Sequence, residues 1–196
     1  MRDTNLQQLI DISRGIIAAS ADPRAVMAGE RVFGRLGAAH GSLGAVGAER
    51  LPACHHNIEA ALAGLAARPS PLPELASAFA AVEAGLHWYR RRNSEGLGQA
   101  FADGHGNAML IGPGGIEERA DVWVGATVMA PGNTYPDHDH PPEEVYIALS
   151  PGEWWNADMD WTAPGPGGII YNRPGILHAM RSRGEPFLAL WFLPIG

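Results

Sequence analysis

The chain has 196 residues, 46% of them hydrophobic, enough to bury the core of one domain or of one domain with a sizeable extension. Its formal charge of -7, with no basic cluster beyond Arg90-Arg91-Arg92, argues against nucleic acid or an anionic membrane surface as a partner. The single cysteine, Cys54, excludes an internal disulfide, residues 1–8 lack a signal-peptide pattern, and no apolar run reaches the roughly 18 residues of a membrane-spanning helix, so the cytoplasm is the expected location.

Residues 1–85 are expected to form a helical N-terminal segment packed on the rest of the chain. Thr4 to Gln7 fits a capping box, and Leu6, Leu9, Ile10, Ile16 and Ile17 share one helical face, which predicts a first helix to about Ala19. Asp22-Pro23 reads as an N-cap with proline at the first helical position, opening a second helix that Gly41 closes. The glycine-rich stretch from Gly41 to Pro52 reads as loop; a third helix is expected over His55 to Ala67 and a fourth from Pro73, carrying Leu75, Phe79, Val82 and Leu86.

From residue 86 the pattern changes to short β-branched and aromatic runs between Gly, Pro, Asn and Asp clusters, as in an antiparallel all-β unit. Strands are predicted at Leu86 to Tyr89, Ala108 to Ile111, Asp121 to Ala130, Glu144 to Leu149, Gly152 to Trp155, Gly168 to Asn172, His178 to Ser182 and Phe187 to Leu193. Their spacing predicts a closed barrel or jelly roll over residues 86–196. The clusters Gly112-Pro113-Gly114-Gly115 and Gly165-Pro166-Gly167-Gly168 lack the Lys-Ser/Thr of a phosphate loop and read as hairpin turns.

The chemistry concentrates between Tyr135 and Tyr146. Residues two apart on a strand share a face, so His138 and His140 are expected to look into the barrel while Asp139 looks out. After the break at Pro141-Pro142, Glu144, Tyr146 and Ala148 share one face, and Glu143 points away from Glu144. His178, coming after the Pro174-Gly175 turn, supplies another imidazole from a later strand. Three imidazoles and a carboxylate suit one divalent ion, Zn, Fe(II), Mn, Co or Ni, with positions left open for water or substrate. A second metal site at Cys54-His55-His56 is not expected, because adjacent residues diverge on a helix.

These residues carry a resemblance. Gly132, five residues, His138-Asp139-His140, three residues, Glu144, seven residues and Gly152 match the first motif of the cupin superfamily, with one extra residue in the last gap. Gly168, five residues, Pro174-Gly175, two residues and His178 approximate the second, with the proline and glycine adjacent and Ser182 where asparagine is usual. More narrowly, Tyr135-Pro136 through Tyr146, the string Tyr171-Asn172 through Arg181, and the helical first half resemble the bacterial cupin lyases of dimethylsulfoniopropionate (DMSP), particularly the DddQ type. The resemblance implies a mainly β, cupin (double-stranded β-helix) barrel preceded by an α-helical segment, and cleavage of DMSP to dimethyl sulfide and acrylate with a bound divalent metal. It implies that His140, Glu144 and His178 hold the metal, with His138 a further ligand or near neighbour, Tyr146 the base or a displaceable ligand, and Tyr135 a pocket residue.

The residues suit that chemistry on their own terms. A metal-bound carboxylate acidifies the adjacent C–H, and a neighbouring dication stabilises a phenolate, so Tyr146 is a candidate base and Tyr135 a second acid/base or substrate contact. A sulfonium has no N–H to donate, so aromatic faces are its natural receptor, with Trp123, Trp155 and Trp191 as candidates; Arg181 is a candidate anchor for the substrate carboxylate or the partner of a surface carboxylate. The expected partner is a small zwitterionic sulfonium, with a homodimer left open. The alternatives are a cupin dioxygenase or isomerase acting on another small carboxylate, and a non-catalytic sensor of a small ligand.

Overall fold

A computed structural model describes residues 2–45, 47–91 and 97–196; Arg92, the last of the arginine run, lies outside them. The first part of the chain forms helices α1 (Thr4–Ala18), α2 (Pro23–Ala38), α3 (Asn57–Ala63) and α4 (Leu72–Glu83), with strand β1 (Ser42–Leu43) and a 3-10 turn at Pro52–Cys54 between α2 and α3. Then come β2 (Trp88–Tyr89), α5 (Gln99–Gly104), β3 (His105–Ile111), β4 (Glu117–Glu118), β5 (Val122–Met129), β6 (Thr134–His138) and β7 (Glu144–Ala148). The chain ends with β8 (Glu153–Asn156), β9 (Met159–Thr162), β10 (Ile169–Asn172), β11 (His178–Arg181) and β12 (Phe187–Pro194).

The differences from the expected elements have local causes. The cap of α1 is Asp3, not Thr4: its Oδ1 accepts from the Asn5 and Leu6 N–H groups at 3.0 Å, a charged acceptor at the positive end of the helix. Asp22 caps α2 as expected, but α2 ends at Ala38, where the Arg119 guanidinium donates to the Ala39 carbonyl and to the Arg35 carbonyl, which also accepts from the Ala39 N–H. Helix α3 begins two residues late because His56 adopts a left-handed backbone, φ 60°. Two of the residues read as loop form β1, which pairs with β4. Helix α5 was not expected, and β3 begins three residues before Ala108.

Two sheets face each other, as the cupin motifs imply. Among the described residues, the larger sheet has the order β1-β4-β3-β5-β12-β7-β10, with β2 pairing β3, and the smaller has the order β6-β11-β8-β9. The larger sheet is apolar on both faces, and parity decides what each residue meets. Val122, Val124, Ala126 and Val128 of β5, Val145 and Ile147 of β7, and Leu188, Leu190 and Phe192 of β12 join the buried residues of α1 to α4 in one core. The intervening residues, including Met129, Tyr146, Ala148, Ala189, Trp191 and Leu193, line the inside of the barrel with Tyr135, Trp154 and Met180 of the smaller sheet. The helices therefore cover the outside of the large sheet, and its inside is left to the site.

Glycine is required at one position on that inner face. Gly125 of β5 is in register with Trp191 of β12, and a Cβ at Gly125 would lie 2.1 Å from Trp191 Cζ2 and 2.5 Å from the Ala108 carbonyl oxygen. The bare backbone thus lets the indole lie across β5. Gly125→Ala is expected to push Trp191 aside and lower the unfolding free energy by about 1–3 kcal/mol. A denaturant midpoint and tryptophan emission both unchanged from the parent protein would contradict this close approach.

Candidate metal centre and substrate pocket

Strand β7 opens at Glu144, and β11 opens at His178, on the sheet opposite. His140 lies in the connection after β6, beyond that strand's end at His138. His140, like His138, therefore reaches the interior, but as part of the turn at Pro141-Pro142 and not by strand alternation. Asp139 is exposed, as expected. Glu143 points the other way from Glu144: it is held by Arg31 of α2 at 2.6 Å and by the Tyr171 hydroxyl of β10 at 3.0 Å.

His140, Glu144 and His178 bring one ligand atom each to within 4.8 Å of one another. Glu144 Oε2 is 3.2 Å from His140 Nε2 and 3.4 Å from His178 Nε2. His138 lies in register with His178, its ring tilted against the His178 ring with centroids 4.0 Å apart, outside this closest set. Each histidine spends Nδ1 on a backbone carbonyl at 2.9 Å: His138 on Pro136, His140 on Pro142 and His178 on Ile176. A carbonyl only accepts, so Nδ1 carries the proton and Nε2 presents a lone pair.

The Nε2 lone pairs of His140 and His178 and the Glu144 carboxylate are acceptors gathered about one point. The His178 Nε2 atom is buried with no hydrogen-bond partner among the described residues. Burial opposes the Glu144 charge, but contact with His140 and His178 outweighs it and holds the carboxyl well below the usual carboxylate range. Burial also opposes protonation of His140, and its bond to Glu144 overcomes that and raises its pKa. Burial, with His178 as neighbour, pushes His138 down to about 4. Such a cluster asks for positive charge at its centre, either a proton or, with better use of three converging lone pairs, a divalent cation. Asn172 of β10, in register with Glu144, steadies the carboxylate at 3.5 Å and receives a 2.9 Å bond from Asn156.

Beside the cluster lies a cavity of about 250 Å³. Tyr146, Tyr135, Trp123, Trp191, Met109 and Arg91 contribute to its wall, together with His138, His140 and Glu144. Burial and the facing Glu144 carboxylate push the Tyr146 phenol well above its usual pKa. Burial raises the Tyr135 phenol too, against a 3.1 Å bond from Asn107 Nδ2. Two of the expected substrate contacts are not brought to the cavity. In β8, parity turns Trp154 inward against Tyr146 and Phe187 and leaves Trp155 on the other face. Arg181 forms an ion pair with Glu153 and lies 3.9 Å over the Trp161 ring.

The comparisons with known proteins agree with this architecture. Residues 27–189 match the model of the DMSP lyase family. The chain belongs to that family. Among curated relatives it is similar to the DMSP lyase DddQ of Ruegeria pomeroyi, 32% identical over 114 residues, which cover 58% of this chain and 57% of that one. It also resembles the putative DMSP lyase DddL of Cereibacter sphaeroides, 32% identical over 105 residues, 53% of this chain and 43% of that one. The matched stretch thus spans about half the length of these curated family members. Among solved structures, the DMSP lyase DddQ of Ruegeria pomeroyi superposes with a TM-score of 0.73 at 25% identity, over 98% of this chain and 92% of that one. A structure from a study of the DMSP lyases RdDddP and RnDddQII gives 0.74 at 21% identity, covering 97% and 92%, which speaks for the fold.

The sequence pattern did not single out Asn107, Thr127, Asn156, Asn172 or Arg91. Four are neutral polar residues inside strands, and only their buried, paired state distinguishes them; Arg91 reads in the sequence as one of a basic run. Glu144→Gln and His178→Ala are each expected to cut the divalent metal retained after dialysis by about tenfold or more. Elemental analysis of the folded variants is the check; retention equal to the parent protein would place the ion elsewhere.

Proposed function

We propose that this chain is a metal-dependent carbon–sulfur lyase that cleaves DMSP to dimethyl sulfide and acrylate by base-promoted β-elimination. The observation that carries the reading is the Tyr146 phenol, buried at the cavity wall and facing the Glu144 carboxylate between His140 and His178. Membership of the family supports the substrate.

His140, Glu144 and His178 would hold one divalent ion, Zn, Fe(II), Mn, Co or Ni, with His138 alongside as a further ligand or neighbour. When bound, the ion supplies positive charge that stabilises both a phenolate and the negative charge developing on the substrate carboxylate. In the ligand-free protein Tyr146 is a neutral phenol, since burial and Glu144 both disfavour its anion. With that charge compensated, the Tyr146 hydroxyl gives its own proton to solvent, and the phenolate oxygen then takes the proton from the carbon next to the carboxylate. The C–H electron pair becomes the new C=C bond of acrylate. The C–S bond breaks with its pair leaving on sulfur as neutral dimethyl sulfide, and Tyr146 is left a neutral phenol.

The sulfonium has no N–H or O–H to donate, and the indoles of Trp123 and Trp191 at the cavity wall offer π faces worth about 0.5–2 kcal/mol each toward a cation. Tyr135 closes the cavity on the side of the smaller sheet. Metal-loaded protein given DMSP is expected to release dimethyl sulfide, detected in the headspace. Tyr146→Phe is expected to lower kcat by about a hundredfold or more while retaining metal. No dimethyl sulfide with any of the five metals would sink the assignment, and a fully active Tyr146→Phe would remove Tyr146 as base.

A further inference from the structure

The cavity wall carries a surplus of hydrogen-bond donors, linked in a directed chain. Trp191 Nε1 can only donate, and does so to Thr127 Oγ1 at 3.1 Å. The Thr127 hydroxyl is 2.6 Å from Asn107 Oδ1, an O–H···O separation, and no other acceptor for its proton is found among the described residues. The Asn107 amide is thereby oriented: its oxygen faces Thr127 and its Nδ2 donates to Tyr135 Oη at 3.1 Å. All the bonds run one way, from Trp191 through Thr127 and Asn107 to Tyr135. The Tyr135 oxygen is an acceptor within the protein, so its own proton is left for the cavity.

Arg91 stands over the ring of Tyr135, on the wall of the same cavity. Its guanidinium carbon lies 5.3 Å from the centroid of the Tyr135 ring, and its Nη1 is buried with no partner among the described residues. Its backbone is pinned: the Arg91 N–H donates at 2.9 Å to Nε2 of the buried His105, whose Nδ1 donates at 2.6 Å to the Phe101 carbonyl. Trp123 Nε1, on another wall of the same cavity, is likewise buried and unpartnered. A cationic donor beside a phenol whose proton is free for the cavity is a poor surface for a sulfonium and a good one for a carboxylate.

Building on the function proposed above, we propose that Arg91 and the Tyr135 hydroxyl form the carboxylate end of the substrate pocket, with Thr127 and Asn107 as positioning residues that keep Tyr135 a donor. The same positive charge turns the sulfonium of a zwitterion toward the indoles. Arg91 thus sets the direction in which the substrate lies as well as contributing to its affinity.

The test is direct calorimetric binding of two half-substrates, acrylate and trimethylsulfonium, to metal-loaded protein, with no turnover required. Arg91→Gln is expected to weaken acrylate by about tenfold, as for loss of a charge-assisted hydrogen bond, and to leave trimethylsulfonium as tight or tighter. Thr127→Val is expected to weaken acrylate by about threefold or more, with Thr127→Ser restoring it. Equal weakening of both ligands by Arg91→Gln, acrylate affinity unchanged in either variant, or no acrylate binding by the parent protein would overturn the inference. The expected binding pattern in a protein that releases no dimethyl sulfide from DMSP would overturn the lyase reading alone.

Discussion

Everything in the site depends on the large sheet being buried on both faces. A sheet of alternating pattern can leave one face to water, but β5, β7 and β12 cannot, because both of their residue sets are apolar or hold the site. The helical layer resolves this by taking Val145, Ile147 and their counterparts, and that choice fixes the opposite parity for Glu144, Tyr146, Thr127 and Trp191. A shift of one residue in any of these strands would send the ligand and the phenol into the helix interface.

Parity is also why part of the site could be read from the sequence and part could not. Glu144 and Tyr146 are two apart on one strand, so their common face is set by the chain itself. His138 and His140 were legible by motif spacing, although only His138 belongs to a strand and His140 arrives through the proline turn. Thr127, Asn107 and Trp191 come from three strands, and their hydrogen bonds exist only because β3, β5 and β12 pair in one particular register. Nothing local marks that register, since Asn107 and Thr127 each stand singly between small or apolar neighbours in their strands. Trp155 and Arg181 lie away from the cavity for different reasons: the sequence does not say which face of β8 looks inward, whereas Arg181, three residues on from His178 in β11, falls on the opposite face by alternation.

The helical half shows the same division. Apolar spacing found the helices, and Asp22-Pro23 marked an end correctly, because those are signals within one turn. At the end of α2 the carbonyls of Arg35 and Ala39 accept from Arg119, far along the chain. The buried pair of Arg2 with Glu117, 2.6 Å apart, likewise joins the start of the chain to β4. Long-range cations thus finish what local propensity begins.

Glu143 and Glu144 are consecutive carboxylates committed to opposite layers, one clamped by Arg31 and Tyr171, the other facing His140 and His178. Adjacent residues at the entry of one strand are thus anchored in two different layers, the first through an ion pair to α2 and the second among the histidines of the barrel interior.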